Sequence, residues 1–158
     1  MNKQDLENIV RYLVKQAIEA IENNTDEKNL PVDYVAIFSK DEQEFNNLEL
    51  LVRPLGREID KKTAKTGFTF LLNDPLKTPA GLVKLIKIRK PDPTRPQRGA
   101  PDFRVKKYDD FKSKYLQKSG DFTLMVRKDF EMIELKGVDV LVYFPNKPLG
   151  SKCDGKSG

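Results

Sequence analysis

The chain's 158 residues, 38% hydrophobic and 34% charged with a formal net charge of +5, describe one globular domain with a heavily charged exterior, or two half-size modules sharing a core. That composition excludes a collagen, a membrane-embedded chain and a fully disordered one. Histidine is absent, which removes imidazole bases, Ser-His-Asp and Cys-His catalysis, histidine-ligated zinc and a histidine pH switch together.

In chain order, residues 4 to 23 place Leu6, Ile9, Val10, Leu13, Val14, Ala17, Ile18 and Ile21 at steps of three and four, predicting an amphipathic helix whose apolar stripe must rest on something. Turn-favouring residues 23 to 26 end it, and Pro31 closes the connection. Residues 34 to 38, Tyr-Val-Ala-Ile-Phe, read as a buried strand. Ser39 or Asp41 then caps a helix running to about Leu55, with Phe45, Leu48, Leu51 and Val52 on one face and Gly56 as its stop. Three extended stretches follow, at 57 to 60, 68 to 72 and 82 to 89, separated by turn chemistry at 61 to 67 and 74 to 81.

Residues 91 to 101 carry four prolines, which remove donors, so a helix or an interior strand is not expected there and the segment reads as a linker. The order then restarts. A strand is expected at 103 to 105, a helix at 108 to 116 with Tyr108, Phe111 and Tyr115 on one face, and strands at 122 to 127, 130 to 135 and 138 to 144. From Gly150 to Gly158 the composition is that of a flexible tail; its lone Cys153 permits no internal disulfide and is not in the setting of a reactive thiolate.

Each half therefore reads βαβββ, and the expected fold class is α+β. An N-terminal helix (1–30) precedes a domain (31–149) of two βαβββ modules, about 33–90 and 101–146, that pair into an open barrel-like sheet around a cleft, the default binding site. The alternative is one mixed sheet with no cavity.

Charge is unevenly placed. Residues 1 to 30 hold four cations against six carboxylates, a net −2, whereas 84 to 98 hold Lys84, Lys87, Arg89, Lys90, Arg95 and Arg98 against Asp92, a net +5. That stretch is either a solvated basic face or a patch attracting phosphate or carboxylate groups. Nucleic acid is disfavoured, because no aromatic-basic motif of an RNA-reading type is interleaved there. The N-terminus carries acidic residues and no uninterrupted apolar run, so the expectation is a cytoplasmic protein with no membrane association, a monomer or a homodimer.

With paired βαβββ units, the opening Asp33-Tyr-Val-Ala-Ile37, Phe70-Leu-Leu-Asn-Asp-Pro75, Lys87-Ile-Arg-Lys-Pro-Asp-Pro93 with Arg95 soon after, and the closing Val142-Tyr-Phe-Pro145, the chain resembles the vicinal oxygen chelate superfamily of glyoxalases, ring-cleaving dioxygenases and bleomycin-resistance proteins, in its YecM-like branch. The likeness covers about residues 33 to 146. Enzymes of that superfamily hold a divalent metal on inward residues of the first and last strands of each module; the resemblance places Tyr34, Arg89, Asp102 and Tyr143 or Phe144 there. One carboxylate cannot replace three or four ligands, and a guanidinium repels a cation. No metal or cofactor is therefore expected, and metal-dependent chemistry is the least favoured reading.

Strand alternation then sorts the side chains. If Tyr34 and Arg89 face inward, so do Ala36, Phe38, Lys87, Leu85 and Val83, while Ile86 and Ile88 face away; Asp102 and Arg104 share the pocket; and of Glu131 and Glu134, three apart, only one lines it. The expected activity is binding of a small polar or anionic ligand by Arg89 and Lys87, oriented by Tyr34 and Asp102, with Arg95 and Arg98 of the linker nearby. Whether a reaction is catalysed stays open. The alternatives are an interaction module using 84 to 98, and a purely structural role: an Arg89–Asp102 or Arg89–glutamate ion pair fixing how the modules dock, with Tyr34 a core aromatic.

Overall fold

A computed structural model describes residues 1–118 and 120–154. It begins with α1 (Lys3–Asn24), started by a reciprocal capping box in which the Asn2 side chain accepts from the Asp5 N–H at 3.0 Å and Asp5 accepts from the Asn2 N–H at 2.7 Å. The first half follows as β1 (Val32–Phe38), α2 (Glu42–Val52), β2 (Gly56–Ile59), β3 (Gly67–Thr78) and β4 (Gly81–Arg89). The second is β5 (Gly99–Phe103), α3 (Tyr108–Tyr115), β6 (Phe122–Val126), β7 (Glu131–Lys136) and β8 (Leu141–Pro145), before a short α4 (Leu149–Asp154).

The architecture is α+β, one open eight-stranded mixed sheet in the order β2-β3-β4-β1-β5-β8-β7-β6 with the N-terminal helix packed on it. β1 and β5 meet antiparallel at the centre, while β1 with β4 and β5 with β8 run parallel. α1 reaches β1, β3, β5, β7 and β8, so its stripe covers the middle of one face, including the seam between the halves. Close approach requires a glycine there: a Cβ on Gly99 would strike the Ala36 carbonyl oxygen and the Leu13 side chain. Phe45, Leu48 and Val52 of α2 join the same core, as do Phe111 and Tyr115 of α3, with the Phe111 ring tilted against that of Phe144 at 4.5 Å between centroids.

Five expectations are corrected. The segment 74 to 81 is not a turn throughout: β3 runs on to Thr78, and only residues 79 and 80 separate it from β4. Pro75 is tolerated because the β3–β4 register slips between Leu71 and Leu76, where no ladder bond needs its missing N–H. Val83, expected to face inward with Lys87 and Arg89, belongs instead to the helix-side core. Residues 99 to 101 are not linker but the start of a central strand, and the fifth strand ends at Phe103 instead of running to 105. Pro101 fits because β5 meets β8 only at Asp102↔Tyr143 and a bridge Gly99↔Val140, so the proline falls between pairings. Finally, residues 150 to 154 are helical, with the Gly150 N–H donating to Asp33 at 3.0 Å; residues 155–158 of the expected tail lie outside the described ones.

Candidate functional site: the sheet face opposite the helices

α1, α2 and α3 pack against one face, and what the strands present on the other is set by alternation and register. Tyr34, Ala36 and Phe38 of β1 stand beside Asp102 and Ala100 of β5 on one side, and beside Lys87 and Arg89 of β4 on the other. Tyr143 lies next to Asp102, and Glu134 across from Tyr143. Ala36, Phe38, Ala100, Leu141 and Tyr143 form a small apolar cluster, flanked by Tyr34, Met125 and Met132. A bulge between Val32 and Tyr34 adds Asp33 to this face, although its position in the chain alternates with Tyr34.

The polar groups here are deeply placed. Lys87 is 8% exposed and Asp102 7%, and Nε of Arg89, Oδ1 of Asp102 and Oγ1 of Thr69 are enclosed without a hydrogen-bond partner. Enclosed polar atoms usually find partners, because leaving one unpaired costs about 1–3 kcal/mol. The Thr69 hydroxyl stands close enough to Tyr34 to ease its ionisation, yet makes no hydrogen bond of good geometry. The Arg89 guanidinium lies 5.1 Å over the Phe38 ring. Among the described residues no ion pair joins Arg89 to Asp102 or to a glutamate.

Burial dominates the electrostatics. It pushes the Asp102 carboxyl well above the usual carboxylate range, helped by the neighbouring Asp33, which favours the protonated form. The Tyr34 phenol is raised well above its ordinary value by burial and by Asp102, and Tyr143 is raised to about 12 by burial. Lys87 falls to about 8 through burial and the adjacent Arg89, while its Nζ donates to Thr66 Oγ1 at 2.8 Å. The Arg89 guanidinium is also lowered, by burial and by Arg95.

The remaining residues separate. Glu134 is on this face, whereas Glu131 accepts from Tyr108 at 2.7 Å and from Lys112 at 2.8 Å, both of α3. Tyr143 takes a hydrogen bond from Arg95 at 2.9 Å, which brings the linker guanidinium over the sheet. Phe144 points to the helices. Arg98 is engaged elsewhere, forking onto Glu44 at 2.7 and 3.1 Å and donating to the Phe38 carbonyl oxygen at 2.8 Å. Arg104 lies beyond the end of β5 and binds Asp33 through Nε at 2.7 Å, not beside Asp102 as strict alternation predicts. Sequence reasoning missed Asp33 and Thr69: the bulge leaves no mark in the composition, and a strand threonine reads as ordinary.

Among the described residues no three His, Cys, Asp or Glu side chains gather to hold a metal ion, and no helix is long and apolar enough to cross a membrane. Compared with known proteins, the chain matches no family model and no curated protein. A solved structure described as "Structural Genomics, Protein EC4020" superposes with a TM-score of 0.68, covering 96% of this chain and 93% of that chain at 9% sequence identity. At that identity the likeness is one of fold alone.

Proposed function

We propose that the two βαβββ halves form a two-module domain of the vicinal oxygen chelate type, and that the sheet face opposite the helices is a cleft binding a small polar or anionic ligand without a metal. The repeated element order, and a strand order that reads the same outward from β1 and from β5, support the two-module reading. The observation that carries the ligand is the set of enclosed, unpartnered groups on one face: Arg89 Nε, Asp102 Oδ1 and Thr69 Oγ1. A guanidinium fork takes a carboxylate or phosphate oxygen, and a protonated Asp102 supplies a donor to the same ligand. Lys87 adds charge below its pKa of about 8.

The rival use of residues 84 to 98 as a nucleic-acid or protein patch loses support from the dispersal of its cations. Lys87 and Arg89 turn into this face, Arg98 is spent on Glu44, and Arg95 leans on Tyr143, leaving Lys84 and Lys90 exposed.

Calorimetric titration with inorganic phosphate and with succinate tests the proposal. Saturable binding of at least one, weakened about tenfold or more in Arg89→Ala, is expected from a lost charge-assisted hydrogen bond. Affinity unchanged in that variant, or no binding of either anion, rejects it.

A further inference from the structure

The open sheet has two outer strands, and they end it differently. β2 is four residues long and carries Arg57 and Glu58 at its centre, with Glu58 paired to Arg53 at 3.2 Å. It runs at once into a left-handed Asp60 and a 3₁₀ turn. A short charged strand with a turn at its end is a poor template for another chain. β6 has none of these guards: Phe122-Thr-Leu-Met-Val126 holds no charge, proline or glycine, and among the described residues no strand pairs with its outer side.

The backbone of β6 shows which groups are unspent. The Lys136 N–H donates to the Asp121 carbonyl oxygen at 3.0 Å and the Arg127 N–H to that of Phe130 at 2.8 Å. With the β6–β7 register, this turns residues 121, 123, 125 and 127 toward β7, so Phe122, Leu124 and Val126 aim their N–H and C=O groups away from the sheet. Val126 is also bare in its side chain, at 66% exposed. Arg127 is exposed and forms no ion pair among the described residues, reaching only the Val126 carbonyl oxygen at 3.5 Å.

From the outward backbone of β6, the exposed Val126 and the opposite charges at the two ends of the strand, we propose that β6 pairs antiparallel with β6 of a second copy of this chain, about a two-fold axis at Leu124. Charge selects both the occupant and the register. Centred on Leu124, the pairing sets Phe122 against Val126 of the partner subunit and lets each outward residue exchange both of its backbone groups. It also places Asp121 beside Arg127 of the partner subunit at both ends, at positions without backbone bonds, where facing side chains approach most closely. An axis at Met125 would set Asp121 against Asp129 of the partner subunit and Phe122 against Lys128 of the partner subunit. An axis at Thr123 would set Asp121 against Met125 of the partner subunit and lose the ion pair. Of the three, only the Leu124 axis matches apolar with apolar and opposite charges together. The pairing does not require the anion site around Arg89.

Sedimentation velocity of the full chain over a concentration series tests the proposal, with circular dichroism melts to show that each variant is folded. Wild type should sediment as a dimer that dissociates on dilution; a monomer at every concentration up to about 200 µM overturns the inference. Val126→Pro removes an N–H that β7 does not use, once in each copy, and should weaken dimerisation about tenfold or more in a folded chain. Arg127→Asp and Asp121→Arg each set like charges at both ends of the seam and should each weaken it about tenfold, whereas the double exchange should restore it to within about threefold of wild type. A dimer indifferent to Val126→Pro, or single charge variants that the double exchange does not rescue, overturns the inference.

Discussion

On the helix side of the sheet Val35, Ile37, Ile86 and Ile88 are wholly buried among the side chains of α1, α2 and α3. One residue along the same strands, the opposite side presents Tyr34, Ala36, Lys87 and Arg89, with a small apolar cluster and enclosed polar atoms that have no partner. The first face is held by area removed from water, and the unpartnered Ser39 Oγ at the end of β1 is its one stranded side-chain atom among the described residues. The second leaves Arg89 Nε, Asp102 Oδ1 and Thr69 Oγ1 enclosed without partners. The difference teaches that one alternating pattern writes two unlike interiors, one for stability and one that sacrifices stability to keep polar groups in place.

The strongest way to break this contrast is to damage the helix-packed face. Leu13→Ala removes a fully buried side chain that rests on Gly99 at the seam, and is expected to lower the unfolding free energy in urea by about 3 kcal/mol. A loss below about 1 kcal/mol would mean that α1 is not an integral part of the core.

The opposite face is sharpened by pH. Asp102 has a folded pKa well above its unfolded value, so the folded chain holds a proton that the unfolded chain releases. Its contribution to stability is full below the unfolded value of about 4 and is lost as pH rises from there through the folded pKa. Urea midpoints measured from pH 4 upward should therefore fall more steeply for wild type than for Asp102→Asn; parallel profiles would show that Asp102 ionises normally.

A smaller effect of opposite direction is expected at Lys87, whose folded pKa of about 8 lies below the usual lysine value. Between about 8 and the unfolded value of about 10.4 the unfolded chain binds more protons, so stability rises with pH across that window. Lys87→Met removes a poorly solvated cation from an apolar setting and should stabilise the chain by about 1 kcal/mol at pH 7, an advantage shrinking above pH 8. A variant less stable than wild type at pH 7 would show that the Nζ contact to Thr66 outweighs desolvation.

Local periodicity carried much of the fold. The step of three and four in residues 4 to 23 marks α1 to within one residue at each end, and Asp41 caps α2 by accepting from the Glu44 N–H at 2.8 Å. Where the reading failed, prolines misled it: Pro75 and Pro101 sit in strands because the register slips or the pairing thins at those residues, and neither is visible locally. The candidate site was legible where alternation is regular. Tyr34, Lys87, Arg89 and Asp102 share a face because β1, β4 and β5 keep step there, whereas Asp33 and Arg104 escaped because a bulge and an early strand end break the count.

By itself the sequence determined the α+β class, the amphipathic helix, the absence of imidazole chemistry and the types of side chain available for binding, since these follow from composition and from spacing along a single strand or helix. Only the tertiary structure decided that Glu134 and not Glu131 joins Tyr143, that Arg98 is bound to Glu44 while Arg95 bonds Tyr143, and that the Ser39 hydroxyl is enclosed without a partner. Each of these depends on groups far apart in the chain, brought together by strand register and by the path of the linker, and a pairing across such a distance is set by the packing of the whole core.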